Sequence, residues 1–257
     1  MSFVDEEDIF TYMENLTRYI FQTVKDIKLP DPFPRMTYAK AMERYGSDKP
    51  DIRYEMELID VKFFTDGSDF KAFSDAESVK ALLVKTGAKY SRKVIDDLTD
   101  KAKKYGAKGL AWMKFQDGNF NGGISKFFSE SMQKNISENL KVENEDILLL
   151  VGDDKNVVTK VLGKLRTVIA SKENLANENE FKPLLVTEFH MFDIDNDNNS
   201  TIYLGAEIGV YKKEMNASTW ELLNENLPNT TIMELEIVKG SNTVSYTHLT
   251  LPTIYSV

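Results

Sequence analysis

The 257-residue chain predicts an α+β fold with a β-rich C-terminal tail, and three observations carry this. Between about residues 61 and 181, short apolar runs alternate with stretches of helical periodicity, joined by short connections. Two of the runs, 79–85 (VKALLVK) and 146–151 (DILLLV), are continuous enough for buried strands. Beyond Phe192 the helical pattern stops, and strand-like segments separated by turns replace it. In the α+β region the helices are expected on one face of a small sheet.

Residues 5–25 read as an amphipathic helix, with Ile9, Met13, Leu16, Ile20 and Val24 at three- and four-residue steps. Asp5, Glu6, Glu7 and Asp8 stand at its start, where negative charge suits the helix dipole. The sequence LPDPFP (29–34) ends it, and Thr37 is placed to cap a short helix running to Arg44. Residues 45–51 (YGSDKPD) form a turn cluster. Gly46 permits positive φ, Ser47 and Asp48 can bond their own backbone, and Lys49 is pushed to an extended conformation by Pro50. This cluster reads either as a connector or as a rigid polar loop whose Asp48, Lys49, Asp51 and Arg53 line a site for a charged small molecule. The residue pattern leaves both open.

Further along, Ser91 caps a helix to Tyr105, with Val94, Ile95, Leu98, Ala102 and Tyr105 on one face and Gly106 closing it. A strand is expected over 109–115 (GLAWMKF), then a helix over 124–140 with Ile124, Phe128, Met132, Ile136 and Leu140 at every fourth residue. After strand 146–151 comes a helix over 157–170 with Val158, Val161, Leu162, Leu165, Val168 and Ile169 inward. Residues 174–180 are a polar linker and 184–189 (LLVTEF) a strand. Lys108-Gly109 and Gly122-Gly123 lack the spacing of a phosphate-binding loop and read as turns.

Composition narrows the function classes. The net charge of −9 argues against binding nucleic acid through bulk charge. Locally, residues 80–114 hold ten Lys/Arg against three Asp. That excess is either a solvated helix surface or a contact for a phosphate backbone, with Lys89, Arg92, Lys93, Lys103, Lys104 and Lys108 the candidates. Without cysteine there is neither a disulfide nor a thiolate site, and with two histidines any metal would rest on carboxylates. No metal-ligating set is identified. The acidic first residues lack the basic start of a signal peptide, and no apolar run approaches the ~20 residues of a membrane span. A cytoplasmic location without membrane contact is expected.

Pro34-Arg35, Thr37 to Asp51 with its YGSDKPD core, Ile52-Arg53 and the ELIDV strand candidate at 57–61 occur in an order that resembles bacterial-type aspartyl-tRNA synthetases, just after their second signature motif. Residues 79–82 (VKAL), 90–93 (YSRK), 104–115 (KYGAKGLAWMKF) and 146–151 resemble the domain those enzymes insert between their second and third motifs, shared with the B subunit of a tRNA amidotransferase. Lys85-Thr86 stands where the family tends to have Pro-Gly, and His190 where a proline is usual. The resemblance implies a partial class II synthetase catalytic domain (1–61), the inserted α+β domain (62–181) and a return strand (182–192). It also implies tRNA(Asp), aspartate and ATP as partners, ATP and Mg²⁺ as cofactors, and a homodimeric parent enzyme. Ser47, Asp48 and Lys49 would border the substrate site. The family's arginine clamp and ATP-gripping carboxylates lie in motifs outside the matching stretch, so no catalytic residue carries over and the chain alone is expected to be inactive.

Residues 193–200 (DIDNDNNS) have the composition of a calcium loop but lack its glycine and terminal glutamate, and read as a linker. Residues 201–237 resemble one blade of the β-propellers of large secreted bacterial proteins, and 244–253 (VSYTHLTLPT) resemble translated library adapter. The expectation is a spliced chain: synthetase to about 192, a foreign blade over 193–243, and an adapter artefact over 244–257.

Overall fold

The computed structural model describes residues 5–189, 193–194, 201–206, 209–214, 217–223, 234–237 and 244–247. These fall in two compact units, 1–188 and 189–257.

In the first unit, α1 (Glu6–Lys25) starts from a reciprocal cap. The Asp5 carboxylate accepts from the Asp8 amide at 2.9 Å, and that of Asp8 accepts from the Asp5 amide at 3.1 Å. The side that packs is not the stripe picked out by the spacing. Ile9, Met13, Leu16, Ile20 and Val24 are exposed, whereas Phe10 lies under the Arg35 guanidinium and Phe21 meets Phe181 edge to face at 5.1 Å. Helix α1 is therefore apolar on two sides, of which one is covered.

Between those two aromatic contacts sits Glu14, only 3% exposed. Its carboxylate accepts from the Phe33 amide at 3.1 Å and from the Arg18 and Arg35 guanidinium groups at 3.3 and 3.4 Å. Burial pushes the carboxyl up. The Phe33 hydrogen bond and the two arginines outweigh it and hold Glu14 below its ordinary value of 4.5. A depressed carboxylate stabilises the fold above its unfolded pKa, and the contribution disappears as pH falls through the folded value. The thermal advantage of the native chain over Glu14→Gln should therefore shrink between pH 6 and pH 3. A difference in midpoint that stays constant across that range would refute this account.

After α1 the chain runs through β1 (Arg35–Thr37) and α2 (Tyr38–Tyr45), the latter capped by the Thr37 hydroxyl and closed by Gly46 at φ 65°. Next come β2 (Leu58–Asp60), the short helices α3 (Lys62–Thr65) and α4 (Lys71–Ser74), β3 (Ser78–Val84) and α5 (Arg92–Lys104). The hairpin β4 (Ala111–Gln116) and β5 (Asn119–Asn121) precedes α6 (Glu130–Asn139), β6 (Ile147–Asp153), α7 (Lys155–Lys172) and β7 (Leu185–Thr187). Strands β2, β3, β6, β4 and β5 form one antiparallel sheet in that order, and β7 returns to pair in parallel with β1.

Side chains alternate across the sheet, and both faces are covered. Leu82, Val84, Ile147, Leu149 and Val151 point to α5 and α7. Val79, Ala81, Met113, Leu148 and Leu150 point to α3, α4, α6 and the turn around Ile124 and Phe128. The expectation of helices on one face is corrected here. Continuous runs such as ILLLV mark strands buried on both sides, and a strand apolar on two faces needs two layers against it. The helix expected over 124–140 is also shorter. Residues Ser125–Phe127 form a 3₁₀ turn, Phe128 is extended, and Ser129 caps α6 by accepting from the Met132 amide.

The second unit carries β8 (Asp193–Ile194), β9 (Thr201–Ala206), β10 (Gly209–Glu214) and β11 (Glu221–Leu223) as an antiparallel meander, plus a hairpin of β12 (Glu234–Ile237) with β13 (Val244–Thr247). Residues 195–200 of the expected linker and 248–257 of the expected adapter lie outside the described residues.

Candidate functional site

The turn after α2 is built by its own residues. The Ser47 hydroxyl accepts from the Lys49 amide at 3.1 Å, and the Asp51 carboxylate accepts from the Arg53 amide at 3.0 Å. That carboxylate also takes the Arg53 side chain in a fork, Nη2 to Oδ2 at 2.7 Å, and this hydrogen bonding holds Asp51 below the usual carboxylate range. Asp48 and Lys49 stand 4.0 Å apart, with Lys49 largely in solvent. Of the loop residues offered as a site, Asp51 and Arg53 are thus engaged with each other, and Ser47 and Lys49 shape the turn.

Helix α7 holds this loop from below. A Cβ on Gly163 would lie 2.8 Å from the Cα and carbonyl carbon of Gly46 and nearer still to its oxygen, so the two backbone segments touch where neither carries a side chain. One turn further, Arg166 is 2% exposed and its guanidinium lies between two rings, 4.8 Å from the Tyr45 centroid and 4.1 Å from that of Tyr54. It donates to the carbonyls of Asp51 (2.8 Å), Met56 (2.9 Å), Tyr54 (3.1 Å) and Glu55 (3.2 Å) and to the Tyr54 hydroxyl (3.1 Å). Beside it, Glu57 receives the Arg44 guanidinium as a fork and the Tyr45 hydroxyl at 3.2 Å. The Arg44 hydrogen bonds hold Glu57 below its ordinary value, whereas burial pushes Tyr54 up. Sequence reading missed Arg166. The available signal was a second stripe on α7, in which Thr159, Gly163, Arg166 and Ala170 recur at helical steps and are all buried.

Clefts open on the first unit, three of them well formed among the described residues. One of about 710 Å³ is lined by Arg53 to Glu57, Lys85, Lys89 and Glu173 among others. One of about 300 Å³ lies between α1, residues 50–53 and 180–183. The third, about 540 Å³, lies at the far side of the sheet by Phe73, Lys108 and Asp153. Ser47, Asp48 and Lys49 line none of the three.

The basic candidates divide into two groups. Lys89 is paired with Glu173 at 2.7 Å and Lys108 with Asp153 at 3.1 Å. Arg92, Lys93, Lys103 and Lys104 are exposed on α5, with no ion pair among the described residues. Asp96, Asp97 and Asp100 share that exposed side, so the positive charge gathers at the two ends of the helix. Lys80 and Lys114, counted in the basic stretch, do not belong to this surface. Lys80 is buried with its ammonium on the Glu43 carbonyl at 2.8 Å, and Lys114 donates to the Tyr90 carbonyl at 2.7 Å.

Much of the five-stranded sheet and its helices lies in a stretch that matches a family model. Residues 70–162 match the GAD domain. The particular enzymes follow from similarity over most of the chain. It is 44% identical over 209 residues to the aspartate–tRNA(Asp/Asn) ligase of Persephonella marina, covering 79% of this chain and 34% of that protein. It is 44% identical over 202 residues to the aspartate–tRNA ligase of Staphylococcus saprophyticus (77% and 34%) and 46% over 193 to that of Lactococcus lactis (75% and 32%). The resemblance to bacterial-type aspartyl-tRNA synthetases holds over about three quarters of the chain, and the GAD domain match lies within that stretch. It spans about a third of the length of these relatives.

Proposed function

We propose that residues 1–192 serve ATP-dependent attachment of aspartate to tRNA as one part of an aspartate–tRNA ligase, and do not catalyse it alone. The observation that carries this is 44% identity to such ligases across more than three quarters of the chain. Residues 1–61 and 182–192 belong in this reading to the catalytic domain, 62–181 to the inserted domain, and Ser47, Asp48 and Lys49 border the aspartate site. The reaction needs ATP, Mg²⁺ and cationic groups for the charge that develops at phosphorus. No cluster of three metal-ligating side chains forms among the described residues, and none of them is assigned to Mg²⁺. No helix among the described residues is long and apolar enough to cross a membrane. The parent enzyme is read as a cytoplasmic homodimer, and 193–243 as a foreign propeller-like blade before an adapter-derived end at 244–257. Grafting residues 1–189 in place of the matching third of the S. saprophyticus enzyme should give a hybrid with aspartate-dependent pyrophosphate exchange. A folded hybrid without exchange would count against the assignment.

A tRNA contact through α5 is favoured by Arg92 and Lys93, two cations at a helix start where the dipole disfavours them. Binding of tRNA by the full chain should weaken steeply with salt. Changing Arg92, Lys93, Lys103 and Lys104 to Glu should flatten the logarithmic slope by roughly 0.7–0.9 for each phosphate that is no longer neutralised. An unchanged slope would remove α5 from the interface.

A further inference from the structure

Burying a guanidinium is costly, and an apolar side chain of similar size often serves stability as well or better. Position 166 nevertheless holds an arginine that is 2% exposed and makes no salt bridge among the described residues, the Asp51 and Glu57 carboxylates acting on it only through space. Its donors go to four backbone carbonyls of one short segment, residues 51–56, and its flat faces are stacked by Tyr45, just before that segment, and Tyr54, within it. Methionine could fill the volume. Only a planar group with five donors can fix the directions of so many carbonyls at once. The Gly46–Gly163 contact, one turn away, sets the other end of the loop against the same helix.

We infer that Arg166 is a positioning residue. It latches residues 51–56 to α7 and so holds the Ser47–Lys49 turn in the orientation in which it faces aspartate. The inserted domain thereby builds part of the amino-acid site and is more than an appendage beside it. The part concerning aspartate rests on the ligase reading above; the latch itself does not.

Two measurements separate them. In the full chain, trypsin should cut after Arg53 far more slowly than at the exposed lysines of α5. In Arg166→Lys, whose ammonium is neither flat nor forked, cleavage after Arg53 should rise at least tenfold while the α5 sites keep their rates. Rapid cleavage after Arg53 in the native chain would overturn the latch, and so would equal cleavage in the variant. The native-chain rate decides the matter even where the variant unfolds. In the grafted ligase, Arg166→Lys should raise KM for aspartate at least tenfold with little change in KM for tRNA. A loss only of active enzyme, with both KM values unchanged, would reduce Arg166 to a structural role. A graft inactive with native Arg166 would overturn the ligase reading and leave the proteolysis result standing.

Discussion

Valine at position 163 should destabilise the first unit by about 3–5 kcal/mol, at the top of the range for single substitutions. The cause is backbone meeting backbone. The carbonyl carbon and Cα of Gly46 lie 2.8 Å from where a Cβ on Gly163 would stand, and the Gly46 oxygen is nearer still. A flexible side chain could swing aside, but a peptide plane fixed by a helix cap cannot. Gly46 closes α2 at φ 65°, with its amide donating to the Met42 carbonyl at 3.0 Å. Moving it would unseat that cap and draw Tyr45 away from the Arg166 guanidinium. Even alanine should be felt, and the γ-methyls of valine have no space on the α2 side. Urea unfolding followed by circular dichroism measures the effect. A midpoint within error of the native chain would mean that α2 and α7 do not meet as described.

The second large effect is expected at Asp146, whose replacement by alanine should cost about 2–4 kcal/mol. This carboxylate is 1% exposed and sits immediately before β6, the strand flanked by β3 and β4. It accepts from the Thr86 amide at 3.0 Å, the Glu143 amide at 2.9 Å and the Lys85 ammonium at 3.1 Å. Alanine leaves the part-buried amides of Thr86 and Glu143 without this acceptor and removes hydrogen bonds to a charged group, which are stronger than neutral ones. Lys85 suffers less because it is half in solvent and keeps Glu143 at 3.0 Å. Asparagine retains one oxygen and should lose roughly half as much. An alanine variant within ~0.5 kcal/mol of the native chain would show that these amides find water instead.

The elements that bury one clean stripe were readable in advance. Helix α5 hides Ile95, Leu98 and Ala102, and β6 hides five consecutive apolar residues, much as their periods imply. The YGSDKPD turn was legible as a turn from Gly46, Ser47 and Pro50 alone. What escaped was whatever periodicity counts as surface. Arg166 and Lys80 are charged, so a pattern of apolar positions assigns them to solvent, yet both are buried with their charge on backbone carbonyls. Ile124 and Phe128 fall in step with Ile136, but a turn and a helix can cover the same side of a sheet, and the count of four cannot tell them apart. Ser129, the residue that starts the real helix, was the available correction. In α1 the apolar count was right about the stripe and silent about which side would pack.

The parallel pairing of β1 with β7 bears on the order of assembly. Arg35 meets Leu185 and Thr37 meets Thr187 across about 150 residues, and a flexible loop of that length carries a closure entropy of roughly 4–5 kcal/mol. Three residue pairs provide little against such a penalty. The ends can meet cheaply only once the intervening sheet and helices have collapsed and brought residues 37 and 185 together. The sheet that separates these strands in sequence is thus the clamp that closes them in space, and the pair is expected to form last on folding and to part first on unfolding.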